Sequence, residues 1–75
     1  MKNNYQDIQE KFGAHLKKIR ENKGYSLRIL ASNCNVDDSN ISKIENGRYN
    51  VQLSTIFELA KGLGVEPKEL LDFKI

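Results

Sequence analysis

The stretch that decides the fold runs from Ser26 to Gly47, SLRILASNCNVDDSNISKIENG. It holds two short apolar-periodic segments, each opened by a good helix cap, with only Cys34, Asn35 and Val36 between them. Ser26 offers a side-chain oxygen to the free N–H groups of a first turn, and Tyr25 and Leu30 stand at the staple positions around that cap. Leu27, Leu30, Ala31 and Cys34 then mark the inner face of a short helix. Asp37 is the second cap, with Val36 and Ile41 as its staple; Ile41 and Ile44 form the inner edge of the next helix before Gly47 closes it. So short a link forces a sharp turn. Asn35 is expected to take a left-handed conformation there, because asparagine is one of the few non-glycine residues that tolerate it. Ala31, small and facing the turn, lets the two helices cross closely.

Working outward, the spacing of Ile8, Phe12, Leu16 and Ile19 predicts a helix from about Asp7 to Lys23, ended by Gly24. Downstream, Leu53, Ile56, Phe57, Ala60 and Leu63 predict a fourth helix from Leu53 to Leu63, which Gly62 and Gly64 fray and end. Pro67 suits the first position of a last short helix reaching about Phe73. No segment alternates as a strand would. The expected fold is therefore all-α, a compact five-helix bundle forming one domain over 1–75, with 1–6 as a flexible arm and 7–73 folded. Its predicted core is Phe12, Leu16, Ile19, Leu30, Ala31, Ile41, Ile44, Ile56, Phe57, Ala60, Leu63 and Val65. Burying each large member contributes roughly 1.5–3 kcal/mol before entropy is subtracted, enough for a marginally stable small domain.

With 39% hydrophobic and 29% charged residues, the chain is too apolar for a disordered tail, and no apolar run is long enough to span a membrane. Met1 to Glu10 is polar and contains acids, unlike a signal peptide. A single cysteine excludes an internal disulfide and fits a reduced, cytoplasmic compartment. The net charge of +2 says little, but its distribution is uneven. Lys11, Lys17, Lys18, Arg20 and Lys23 face only Glu21 in their stretch, whereas Glu66, Glu69 and Asp72 outweigh Lys68. One face is thus able to approach phosphates, although a solvated helix surface carries the same pattern. His15 has no second histidine or acid at metal-ligand spacing. Cys34 reads as a small buried thiol with no positioned base. No phosphate loop or nucleophile constellation is present, so neither catalysis, metal, cofactor nor small-molecule ligand is expected.

The residues Ser26-Leu-Arg-Ile-Leu-Ala31, Asn35-Val36 and Ile41-Ser-Lys-Ile-Glu-Asn-Gly47 resemble the Cro/phage-repressor-like helix-turn-helix family, also called the XRE family. Leu59-Ala60 and Leu63-Gly-Val65 support the resemblance, which covers about Phe12 to Leu71. It implies a lambda-repressor-like DNA-binding domain whose second helix crosses the DNA backbone while the third enters the major groove. Carried over by position, Asp38, Ser39, Asn40, Ser42 and Lys43 would face base edges. Their chemistry suits that role: asparagine pairs with adenine, lysine with guanine, an acid accepts from cytosine, and serine serves either. Ser26 and Arg28, with Asn46, Arg48, Tyr49 and Asn50 after the third helix, would meet phosphates; Tyr49 equally suits covering the core. The resemblance also implies an ion pair between Arg20 and Glu45. Three positions depart from the pattern: Leu27 replaces the usual glutamine, Asn35 the usual turn glycine, and Asp38 adds negative charge at the groove-facing end.

Leu70, Leu71, Phe73 and Ile75 form an apolar end that a chain this small is not expected to bury entirely; one or two of them can simply seal the core, and the set suggests a homodimer interface in the region of the fourth and fifth helices. Pairing two recognition helices one DNA turn apart turns weak half-sites into a useful operator. The expected function is a sequence-specific regulator of transcription, a repressor acting as a homodimer on an inverted repeat in double-stranded DNA. Two other readings remain at this level. One is an antitoxin or restriction-modification controller that adds a toxin or other protein partner to the same DNA face. The other is a protein-interaction bundle that keeps the fold without binding DNA.

Overall fold

The computed structural model describes residues 5–75. Five helices follow one another, α1 (Tyr5–Asn22), α2 (Leu27–Ser32), α3 (Asp38–Glu45), α4 (Leu53–Leu63) and α5 (Pro67–Leu70), and the described residues contain no strand. The fold is all-α. α1 packs on α3 and α5, α2 on α3 and α4, and α4 on α5.

α1 starts earlier than the apolar spacing predicts. Tyr5 and Gln6 are helical rather than part of an arm, and the remainder of the expected arm, 1–4, lies outside the described residues. Gln6 Nε2 donates to Glu10 Oε2 and to the Gly47 carbonyl, both at 3.1 Å, which ties this first turn to the loop after α3. The helix ends at Gly24, whose φ of 75° allows the Tyr25 N–H to reach back to the Arg20 carbonyl at 3.2 Å. Ser26 Oγ then caps α2 by accepting from the Ile29 N–H at 3.1 Å, and Asp37 Oδ1 caps α3 by accepting from the Asn40 N–H at 2.9 Å.

The turn between α2 and α3 corrects the expectation for Asn35. No described non-glycine residue has a positive φ. The reversal is instead spread over 33–36 in ordinary conformations and is held from outside. The Asn35 N–H donates to Glu58 Oε1 at 3.1 Å, and Asn33 Nδ2 donates to the Gly62 carbonyl at 3.3 Å, both on α4. A turn pinned at two points by a neighbouring helix has no need of a single strained residue. Because α2 ends at Ser32, Cys34 lies beyond it, half-buried against Gly62.

The core consists of Phe12, Leu16, Leu30, Ile41, Ile44, Leu59, Ala60, Leu63 and Leu70. Ile19, Ala31, Ile56 and Val65 are only partly buried around it. Phe57 is 55% exposed, contrary to its predicted place inside, while Leu59 is fully buried. The cause is a rotation of the buried stripe of α4. Gly62 does not fray this helix; it lies within it and presents a bare backbone to Leu30 and Cys34, which draws that side inward. The predicted apolar end also divides. Leu70 is fully buried and so leaves the proposed dimer surface for the core. α5 stops at Leu70, and Phe73 folds back edge-on against Phe12 at 6.2 Å. His15 Nε2 donates to the Glu69 carbonyl at 2.8 Å, fastening the same segment to α1. Leu71 and Ile75 remain exposed, at 52% and 80%.

Two contacts fix α1 against α3. Gly13 sits where the two helices come into close contact: a Cβ there would stand 2.2 Å from the Ile44 carbonyl oxygen and 2.7 Å from that of Glu45. Farther along α1, Arg20 forms a fork with Glu45, Nε donating to Oε2 at 2.6 Å and Nη2 to Oε1 at 3.0 Å, while Nη1 donates to the Tyr25 carbonyl at 2.8 Å. Both side chains are nearly buried. The hydrogen bond to Glu45 raises the arginine pKa above its ordinary value, opposed by desolvation. A raised folded-state pKa stabilises at every pH below the unfolded value, and that contribution is lost only at extreme alkalinity.

Gly13→Ala should therefore destabilise the protein by about 1–3 kcal/mol through overpacking. Helix propensity alone would give the opposite sign, a gain of roughly 0.5–1 kcal/mol. Urea denaturation distinguishes the two. Arg20→Ala should cost about 3–5 kcal/mol by stranding a buried carboxylate, and the double replacement Arg20→Met with Glu45→Leu should recover most of that loss; an equal loss in both variants would contradict the assignment.

Candidate nucleic-acid interface

α3 is anchored along one edge and open along the other. Ile41 and Ile44 are fully buried or nearly so, while Asp38, Ser39 and Lys43 are exposed and Asn40 and Ser42 are half-buried. The division follows from helical spacing for most of these residues, since 41 and 44 share a stripe and 39 and 43 fall away from it, while Asp38 is exposed as the first residue of the helix. The residues predicted to meet bases thus occupy one short helix, with side chains that can hydrogen-bond and a base of apolar contacts beneath them.

Several of these groups are already engaged. Ser39 Oγ donates to Asp37 Oδ1 at 3.3 Å, beside the cap bond that the same carboxylate accepts from the Asn40 N–H. Asp37 and Asp38 complement the positive end of the α3 dipole. Asn40 Oδ1 accepts from Tyr49 Oη at 3.1 Å, and Lys43 Nζ lies 5.9 Å from the centre of the Tyr49 ring. Sequence spacing gave no sign of this grouping: Tyr49 lies nine residues from Asn40, outside the helix, and is brought back by the turn at Gly47. That glycine has a φ of 75°, which lets the Arg48 N–H bond the Lys43 carbonyl at 3.0 Å. Behind the turn, Val36, Asn40, Ile44, Tyr49, Asn50, Val51, Gln52 and Thr55 line a shallow open groove between α3 and the start of α4.

The predicted phosphate-contacting residues fall on two segments. Ser26 and Arg28 are exposed at the start of α2. The Ser26 oxygen accepts the cap bond, which leaves its own proton free to donate. Asn46, Arg48, Tyr49 and Asn50 are exposed after α3. Two residues that position this surface were not apparent from sequence. Glu58 holds the turn before α3 through the Asn35 N–H, and Gln6 holds the turn after it through the Gly47 carbonyl. Each acts through a backbone atom far along the chain, for which side-chain periodicity carries no signal.

Among the described residues, no group of three or more His, Cys, Asp or Glu side chains is placed to hold a metal ion. None of the described helices is long and apolar enough to cross a membrane.

Comparison with known proteins agrees with this geometry. The helix-turn-helix family model matches residues 16–70. The control protein C.BamHI of Bacillus amyloliquefaciens is 43% identical over 68 residues, covering 89% of this chain and 84% of the relative. A hypothetical transcription factor of Neisseria meningitidis is 36% identical over 66 residues, covering 88% and 62%; on that relative the match spans somewhat less than two thirds of its length. Among solved structures, the restriction-modification controller protein C.AhdI from Aeromonas hydrophila superposes with a TM-score of 0.87 at 37% identity, covering 91% of this chain and 99% of that one. A family match across most of the chain, on a structure with an exposed α3 braced by α2, has one meaning. The chain belongs to the XRE-type helix-turn-helix family of DNA-binding transcription regulators, whose members are not enzymes.

Proposed function

We propose that the chain represses transcription as a homodimer, placing the outward edge of α3 in the major groove of each half of an inverted repeat. The observation that carries this reading is the open edge of α3, with Asp38, Ser39 and Lys43 exposed over a fully anchored apolar base. In that pose Asn40 pairs with adenine, Lys43 with guanine, Asp38 accepts from cytosine, and Ser39 and Ser42 reach either a base or its sugar-phosphate. Ser26, Arg28, Asn46, Arg48 and Asn50 supply phosphate contacts that fix register without reading sequence. They are few, and the net charge is only +2, so one protomer binds weakly, and salt weakens that binding further in proportion to the phosphates neutralised.

Weak half-sites call for a second copy. Leu53 and Phe57, one turn apart on α4, are 69% and 55% exposed, and Leu71 adds a third large apolar side chain. A two-fold contact through this α4–α5 surface, rather than through Leu70 and Phe73, would set two recognition helices about 34–36 Å apart on one face of the duplex. The similarity to C.BamHI and C.AhdI favours a more specific form of the reading, in which the regulated genes encode a restriction-modification system. A cytoplasmic location follows from the DNA target.

In a selection on random duplex DNA, Asn40→Ala and Lys43→Ala should each relax preference at individual base pairs, by about 1–3 kcal/mol. Arg48→Ala should weaken binding to every sequence and lower the salt slope by about one. Unchanged profiles would remove α3 as the reading element. Phe57→Lys should shift sedimentation toward monomer and weaken binding to paired half-sites more than to a single one; an unaltered dimer would exclude the α4 surface. A selected operator that matches DNA beside restriction-modification genes would support the controller reading.

A further inference from the structure

We propose that Tyr49 is a specificity-determining positioning residue that orients Asn40 and Lys43 for base reading, and is not a phosphate contact. The inference rests on the proposed reading of DNA by α3. Tyr49 is 38% exposed, so its ring is not simply a core residue, and its polar and apolar parts each have a partner on α3. The hydroxyl donates to Asn40 Oδ1 at 3.1 Å. A carboxamide torsion is intrinsically broad and two-fold, so an unpartnered asparagine presents its oxygen and its nitrogen about equally. Pairing with adenine requires one orientation, with Oδ1 accepting from the exocyclic amine and Nδ2 donating to the ring nitrogen. The tyrosine proton selects the face of the amide that carries the oxygen, and the oxygen keeps a second lone pair for the base while both Nδ2 protons stay available.

The ring has a separate task. Lys43 Nζ stands 5.9 Å from its centre, within cation–π range. That contact holds a long, rotamer-rich side chain near the segment of α3 where it would meet a guanine. One aromatic residue outside the helix therefore orders two reading side chains a turn apart, reducing the ordering cost of each on binding. The tyrosine proton, already given to Asn40, is not available to a phosphate in this arrangement.

The test compares the wild-type chain with Tyr49→Phe and Tyr49→Ala by selection on random duplexes, followed by competition between the selected operator and its single-base-pair variants. The position read by Asn40 is identified as the one at which Asn40→Ala relaxes preference, and the position read by Lys43 likewise with Lys43→Ala. Tyr49→Phe removes only the hydroxyl. It should lower discrimination at the Asn40 position roughly three- to tenfold, the factor expected for ordering one side chain. Thermal stability, salt slope and discrimination at the Lys43 position should be unchanged. In an Asn40→Ala background the same replacement should have no further effect, and Tyr49→Ala should also lower discrimination at the Lys43 position. Three results would overturn the proposal: an equal loss on all sequences, as removal of a phosphate contact gives, unchanged discrimination in Tyr49→Phe, or full additivity with Asn40→Ala. A wild-type protein with no sequence preference would overturn the reading by α3 and this proposal with it. Preference that persists unmoved in Tyr49→Phe overturns this proposal alone.

Discussion

A guanidinium and a carboxylate removed from water each cost several kcal/mol, and the cost is offset only when their hydrogen bonds are met in good geometry. Arg20 and Glu45 satisfy that condition through a two-pronged fork, with the Tyr25 carbonyl taking a further guanidinium proton. Glu45 is the last residue of α3 and Arg20 lies in the last turn of α1. A negative charge at a helix C-terminus opposes the helix dipole, so Glu45 is tolerable there chiefly because the arginine answers it. The pair thus joins the ends of two helices at one point. Gly13 brings their backbones together at a second, which leaves α3 little freedom to roll about its own axis.

The outward aim of α3 follows from that constraint. Once its far end is fixed against α1 and Ile41 and Ile44 are buried, the opposite edge has nowhere to face but solvent. The turns on either side are secured by distant residues, Glu58 before the helix and Gln6 after it. Their bonds go to backbone atoms and leave the side chains proposed to read bases free of them; Ser39 is engaged by Asp37, and Asn40 and Lys43 by Tyr49. A rigid scaffold carrying a few adaptable polar groups is the arrangement that base recognition requires, because the cost of ordering is met before the DNA arrives.

Where the determinants were local, the sequence was legible. Ser26 and Asp37 cap the helices that their chemistry indicated, and Gly24 and Gly47 end the helices before them. The resemblance in Ile41 to Gly47 pointed to the helix-turn-helix family and to the pairing of Arg20 with Glu45. What was not legible depended on tertiary placement. Asn35 looked like a left-handed hinge because the pattern does not show Glu58 and Asn33 holding the turn against α4. Phe57 and Leu59 exchanged places because Gly62 admits Leu30 and Cys34 on one side of α4. Which of Leu70, Leu71, Phe73 and Ile75 would seal the core was equally open in the sequence; Leu70 fills it and Phe73 packs on Phe12. Tyr49 could be assigned to a loop but not to Asn40.

α3, held by the buried pair, is the surface proposed to meet duplex DNA. Backbone amide chemical shifts of the isotope-labelled protein, followed during titration with a duplex selected for binding, address it directly. Shifts should concentrate at residues 26–28, 37–43 and 46–50, with the α5 amides quiet. Shifts confined to the Leu53–Phe57 face, with the α3 amides unmoved, would contradict it.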